Sequence, residues 1–342
     1  MKMLDILKED EALENKKLEV RFSRKSIVKA ANLLPEQNSI TLSNLDLLSG
    51  RFPVSYFYFY LKPSKPVDHD FTAIVETLKS SLSQTLSHYY PFAGRIVQNP
   101  RTNEPEILCD NNGALVVEAQ ANIPLKKLDF HNLNKCLQGK LVSIQPDFPL
   151  QIQVTNYTCG GISITFTFDH ALGDASAFGN FMVSWSEIAQ KKPLSTTPNH
   201  HRNLLCARFP PKYHQSLDQT FVKCTMEDIL NMPMKHISLK RLYHVNASSI
   251  DMLQTLASAD GTKRTKIEAF SAYVWKVMVN TIDASYANCK MGWLVDGRGR
   301  MVTKGSDSMS NYIGNVLSLA SGEARIQELK EASISDIAKI VP

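Results

Sequence analysis

Apolar and polar residues alternate at Leu18, Val20 and Phe22, and again along Ile162, Ile164, Phe166 and Phe168. A period of two predicts strands with one buried face. The run Val54-Ser55-Tyr56-Phe57-Tyr58-Phe59-Tyr60 is dense in β-formers and predicts a central strand. The period then lengthens. Phe71, Ile74, Val75, Leu78, Leu82 and Leu86 share one face of a helix, with Ser and Lys on the other, and Phe178, Phe181, Met182, Trp185 and Ile188 repeat that spacing. Pro91 and Gly94 close the first helical pattern and open a sheet segment, and residues 106–118 and 150–168 supply further strands. Helices alternating with strands predict a mixed α/β layer fold.

Residues 191–216 carry four prolines and little periodicity, which reads as a crossover between an N-terminal domain, 1–190, and a C-terminal domain, 217–342. In the second domain, strands are predicted near 221–225 and 235–240 and a short helix over Ser248, Ile250, Leu253 and Leu256. A helix opens at Thr265-Lys266-Ile267-Glu268 and runs through Val277, followed by a strand over 291–296. Thr265 and Glu268 stand at capping-box spacing, which suits an ordinary cap and equally a helix N-terminus that attracts a phosphate. Ile326, Leu329, Ile334, Ile337, Ala338 and Ile340 predict a last helix. Its apolar face needs a partner surface, and ending at Val341-Pro342 it reads as a truncation.

A length of 342 residues suits two domains, and 43% hydrophobic with 21% charged residues suits a soluble globular protein. The net charge of +5 is dispersed, which argues against a nucleic-acid groove, though a mildly positive field favours an anionic substrate. The six cysteines form no CxxC pair and fit reduced thiols in the cytosol. No apolar run is long enough for a signal peptide or a membrane span. His200 and His201 are adjacent, without a third ligand in view, and read as loop residues, so no metal site is expected. Gly297-x-Gly299 is too short for a dinucleotide fingerprint, and no P-loop or GxSxG elbow occurs.

The stretch with chemistry in it is His170-Ala171-Leu172-Gly173-Asp174, set between a predicted strand and a predicted helix. Gly173 permits a tight turn, and Asp174 can cap the helix behind it. An imidazole on a rigid strand end can serve as a general base near neutral pH. The residues alone also allow a turn histidine beside a helix cap.

His170 to Asp174, followed by Ala175-Ser176-Ala177-Phe178, resembles the HxxxD motif of the BAHD acyltransferases, plant enzymes that move acyl groups from coenzyme A to alcohols and amines. Five further segments resemble that family's landmarks in order: Leu42-Ser43-Asn44-Leu45-Asp46, Tyr89 to Arg95, Glu268 to Lys276, Val295 to Met301, and Asn311-Tyr312-Ile313-Gly314-Asn315. The region around HALGDASAF is most similar to members acting on phenylpropanoid alcohols such as coniferyl alcohol. The family's DFGWG motif is absent.

The resemblance implies a two-domain fold like that of chloramphenicol acetyltransferase, with mixed sheets flanked by helices and the second domain truncated. It implies an acyl-coenzyme A-dependent O-acyltransferase with His170 as general base and Asp174 in a structural ion pair with Arg298. Thr265 and Lys266 are the expected contacts of coenzyme A, which serves as co-substrate beside a small-molecule alcohol, with no permanently bound cofactor. A monomer in the cytoplasm, with no nucleic-acid or membrane partner, is the family expectation. A catalytically inactive, truncated relative that binds an acyl-coenzyme A or a protein partner is the alternative.

Overall fold

The computed structural model describes residues 17–32, 38–63, 70–130, 137, 139–205, 210, 212–219, 221–225, 227–228, 242–282, 286–301 and 309–341. It divides into two compact units, Met1–Leu242 with Arg298–Val316, and Tyr243–Gly297 with Leu317–Pro342. The crossover expected at 191–216 falls inside the first unit, which also takes in the segment from Arg298. The reason is bonding: Arg298 and residues 312–316 make their buried polar contacts with Asp174 and Asp46.

In the first unit the elements run β1 (Val20–Val28), β2 (Asn38–Thr41), α1 (Asn44–Ser49), β3 (Pro53–Tyr60), α2 (Phe71–His88), β4 (Arg95–Gln98), β5 (Pro105–Cys109), β6 (Ala114–Ala121), β7 (Leu150–Asn156), β8 (Ile162–Asp169) and α3 (Ala175–Ala189). A five-stranded sheet has the order β1-β6-β7-β8-β3, and a three-stranded sheet the order β2-β5-β4. β6 and β7 are parallel, and the other neighbours in both sheets are antiparallel.

The alternation along β8 and its neighbours decides how this sheet is used. Val116, Ile152, Val154, Ile164, Phe166 and Phe168 join one apolar core with Val75, Leu82 and Leu86 of α2 and Phe178, Phe181 and Trp185 of α3. Phe168 stacks on Phe178 with ring centroids 4.5 Å apart, which fixes the end of β8 against the start of α3. The intervening positions, Gln151, Gln153, Thr155, Ser163, Thr165 and Thr167, are polar and buried, and Gln151 satisfies its amide on the Gln145 and Phe148 carbonyls.

The second unit holds α4 (Ala247–Ala257), α5 (Lys266–Val279), β9 (Asn288–Asp296), β10 (Leu317–Arg325), α6 (Ile326–Glu331) and α7 (Ile334–Ile340). β9 and β10 pair antiparallel, and Trp275, fully buried, centres a core with Leu253, Ala272, Leu329 and Ile337. The single last helix expected from the sequence is two, because the backbone turns extended at Ala332 and Ser333 caps the next helix by accepting the Asp336 amide. No strand forms at 221–225, where Phe221 and Val222 are 44% and 87% exposed and bury nothing. The strand expected at 235–240 lies outside the described residues.

Candidate active site

β8 ends at Asp169, and the chain turns through a short 3-10 helix, His170–Leu172, before Asp174 caps α3. Local bonds shape that turn. Asp169 Oδ1 accepts the Ala171 amide at 2.9 Å, and the His170 amide donates to the Phe52 carbonyl at 3.0 Å. Gly173 is required there, since a Cβ would stand 2.6 Å from the Ala177 Cβ. Asp174 Oδ1 accepts the Ala177 amide at 3.0 Å, the cap expected of it.

Two buried ion pairs hold the turn from either side. On one, Arg298 Nη1 donates to Asp174 Oδ2 at 2.8 Å, and that oxygen also accepts the Val316 amide at 2.9 Å. Arg298 Nη2 donates to the Gly314 and Tyr312 carbonyls at 2.8 and 3.2 Å. On the other, Arg202 Nη1 lies 2.5 Å from Asp46 Oδ1. Its alignment there is that of a charge pair rather than a hydrogen bond, while Arg202 Nη2 donates to the Leu172 carbonyl at 2.8 Å. Burial pushes the Asp46 carboxyl up, but Arg202 and the hydrogen bonds from Ser43 and Asn315 outweigh it and bring it below the ordinary value. Asp46 therefore stays ionised.

The segment Tyr312–Val316 joins the two pairs. Its carbonyls serve Arg298, the Val316 amide serves Asp174, and Asn315 serves Asp46 through its own amide at 2.8 Å and its Nδ2 at 2.9 Å. Asn315 Nδ2 also donates to the His170 carbonyl at 2.9 Å. The packing tolerates no side chain at Gly314, where a Cβ would stand 2.7 Å from Arg202 Nη1 and from the Tyr312 ring.

His170 is half-buried, with its ring 4.8 Å from that of Phe52. Burial lowers its pKa below the ordinary 6.5, and Asp174, its own backbone, Asp169 and Asn315 only partly oppose this. The imidazole is thus neutral at physiological pH and able to take a proton. Arg51, paired with Asp169 at 2.9 Å, and Phe52 line a cleft of about 380 Å³ with Pro53, Phe148, Thr167 and Asp169.

The structure thus brings together His170, Asp174 and Arg298. Thr265 and Lys266 belong to the second unit. Thr265 is engaged in a capping box with Glu268, and Lys266 pairs with Asp251 at 2.7 Å. Asp46, Arg202 and Asn315 were not singled out by sequence reasoning. Asp46 and Asn315 close two of the landmark segments, which was the available signal, whereas Arg202 carried none. Among the described residues no group of three or more His, Cys, Asp and Glu side chains could hold a metal ion, and no helix is long and apolar enough to cross a membrane.

Residues 18–342 match the Transferase family. Omega-hydroxypalmitate O-feruloyl transferase of Arabidopsis thaliana is 30% identical over 276 residues, covering 76% of this chain and 59% of its own length. A second protein of that plant, fatty alcohol:caffeoyl-CoA acyltransferase, is 29% identical, with 80% of this chain and 64% of its own length covered. Rosmarinate synthase of Plectranthus scutellarioides is 29% identical over 93% of this chain and 74% of its own. The chain therefore spans about six-tenths of the two Arabidopsis relatives. In fold it is similar to vinorine synthase, with a TM-score of 0.68 at 19% identity over 94% of this chain and 74% of that one. It is similar also to F. graminearum TRI101 complexed with ethyl coenzyme A, with a TM-score of 0.67 at 16% identity over 89% and 73%.

Proposed function

This chain belongs to the Transferase family, the BAHD acyltransferases, and from that premise we propose that it transfers an acyl group from coenzyme A to an alcohol, with His170 as general base. The observation that carries the reading is a histidine kept neutral by burial, on a turn braced from both sides by buried ion pairs. Such a base can be aimed without being charged.

The chemistry needs one proton carrier. His170 removes the hydroxyl proton as the alcohol oxygen attacks the thioester carbonyl carbon. The tetrahedral adduct then collapses, the carbon–sulfur bond breaks, and the coenzyme A thiolate takes the proton back from the imidazolium. Asp174 and Arg298 keep the strand end and the helix start in register and take no part in the proton transfer. The cleft beside Phe52 and Asp169 is the proposed seat of the acceptor, and its phenylalanine and proline walls suit an aromatic or aliphatic alcohol. A phenylpropanoid or other specialised-metabolite alcohol is consistent with relatives named for feruloyl transfer and rosmarinate synthesis. Coenzyme A is the proposed donor, a neighbour in fold being complexed with its ethyl derivative. The N-terminus of α5, with Thr265 and Lys266, is proposed to take its phosphates. A monomer in the cytoplasm completes the reading.

Thiol release tests it. The protein is mixed with acetyl, malonyl and hydroxycinnamoyl coenzyme A and a panel of phenylpropanoid and aliphatic alcohols. Release is expected to need an alcohol and to fall about 10²- to 10⁴-fold in His170→Ala. Equal release by that variant would overturn the assignment of the base.

A further inference from the structure

Two charged side chains, Arg51 and Asp169, line the cleft of about 380 Å³ beside Phe52. Apolar side chains such as Ile144, Phe148 and Pro149 form most of its remaining wall. Two polar side chains there are already engaged. Gln151 Nε2 donates to the Gln145 and Phe148 carbonyls at 3.0 Å each, and Gln151 Oε1 accepts the Gln145 amide at 2.8 Å. Thr167 Oγ1 lies 3.0 Å from Ser55 Oγ.

The charged pair is engaged unevenly. Asp169 uses both of its oxygens: Oδ1 accepts the Ala171 amide at 2.9 Å, and Oδ2 accepts Arg51 Nε at 3.1 Å and Arg51 Nη2 at 2.9 Å. Arg51 meets that oxygen with only one edge of its guanidinium, which carries five N–H donors in all. The other three, two on Nη1 and one on Nη2, have no protein partner among the described residues. The Nη1–Nη2 edge is a planar fork of the kind that takes both oxygens of a carboxylate. The Arg51 side chain is 41% exposed and that of Asp169 only 15%, so an incoming anion meets open donors before it meets the aspartate. The fork is also held in place, because Asp169 is tied to the turn through the Ala171 amide.

Arg51 directly precedes Phe52, whose carbonyl accepts the His170 amide at 3.0 Å and whose ring lies 4.8 Å from the imidazole. The guanidinium and the imidazole therefore border the same phenylalanine. We propose that Arg51 is a specificity-determining residue whose open edge binds a carboxylate, so that the acceptor is a hydroxy acid held by its acid end. Its hydroxyl points toward His170 and its apolar body lies along Phe52 and Phe148. The carboxylate takes no part in the transfer: the new ester bond forms at the hydroxyl oxygen, and the acid group leaves unchanged with the product. This rests on the reading of the cleft as the acceptor's seat.

Binding is read apart from turnover by equilibrium dialysis of the full chain with free coenzyme A, whose thiol carries no acyl group to transfer. The probes are hydroxyphenylpropanoate and ω-hydroxydecanoate, each beside its own methyl ester. In the unaltered chain at least one acid is expected to bind about 10-fold more tightly than its ester, as suits a charge-assisted pair. In Arg51→Met that ratio is expected to fall to about one. Arg51→Lys, which keeps a cation against Asp169 but lacks the fork, is expected to keep a smaller preference. Equal binding of acid and ester, no binding of either acid, or an undiminished ratio in Arg51→Met would overturn the inference. The comparison within the unaltered chain decides the matter even where a variant fails to fold. Thiol release with the same probes separates this inference from the reading beneath it. A preference for the acid without release from any acyl-coenzyme A would sink acyl transfer and leave the carboxylate site standing. Release with acid and ester used equally well would sink the role of Arg51 and leave acyl transfer standing.

Discussion

Lowering the pH is expected to weaken this fold before most carboxylates titrate, and His200 is the residue responsible. Its Nε2 lies 2.8 Å from the His88 carbonyl, its ring packs on Tyr90 with centroids 4.8 Å apart, and its Nδ1 is buried without a partner among the described residues. Burial pushes its pKa down to about 4 from the ordinary 6.5. The folded state therefore binds fewer protons than the unfolded one between those values, and stability falls as pH drops through them. The gap corresponds to roughly 3 kcal/mol. Denaturant unfolding at pH 7 and pH 4.5 should show the loss, and His200→Gln should flatten it. From sequence this histidine reads as a loop residue beside His201, which is its place in the chain but not its role. Nothing in a pair of adjacent histidines reveals that one ring is enclosed by Tyr89 and Tyr90.

Arg298 shows what a single side chain does for the elements around it. It joins the cap of α3 to the carbonyls of residues 312 and 314, so removing its charge leaves Asp174 buried without its cation. Arg298→Met is expected to destabilise by about 3–5 kcal/mol, read from denaturant midpoints. Arg298→Lys is expected to recover only part of that, because one ammonium cannot match the planar fork that reaches three acceptors. β8, the turn and α3 were legible beforehand, because a period of two gives way to helical spacing across one glycine and one cap. The partnership of Arg298 with Asp174 was legible only through resemblance, since the positions are 124 apart and no periodicity links them. The link between Asp46, Arg202 and Asn315 was not legible, because it depends on which loops meet at one point. β10 went unread for a different reason. Its sequence, LSLASGEAR, is rich in small residues and largely exposed, so it holds its place by pairing with β9 rather than by an apolar face.

Across the whole molecule, the thiols give an accessible readout of burial. Cys109 is buried, and desolvation pushes its thiol up to about 12, whereas Cys159 and Cys224 are exposed and none of the three is in a disulfide. Native alkylation followed by mass mapping is expected to label Cys159 and Cys224 and to spare Cys109 until denaturant is added. Fast labelling of Cys109 would show that the first unit opens under native conditions. Composition and periodicity made the mixed α/β class legible. The division into units was harder to read, because residues 298–316 belong by their bonds to Asp174 and Asp46 rather than by their place in the chain.

The amide of Asn315 follows the His170 carbonyl it holds by 145 positions, and the Asp46 carboxylate that locks it by 269. A ribosome adds about 5–20 residues per second, so the histidine emerges roughly 7–30 s before the asparagine that steadies it. During that interval the His170 carbonyl and the Asp46 carboxylate wait for the amide that bridges them. The polar frame of the turn is then completed as one event of translation, when a single five-residue stretch is threaded between two arginines.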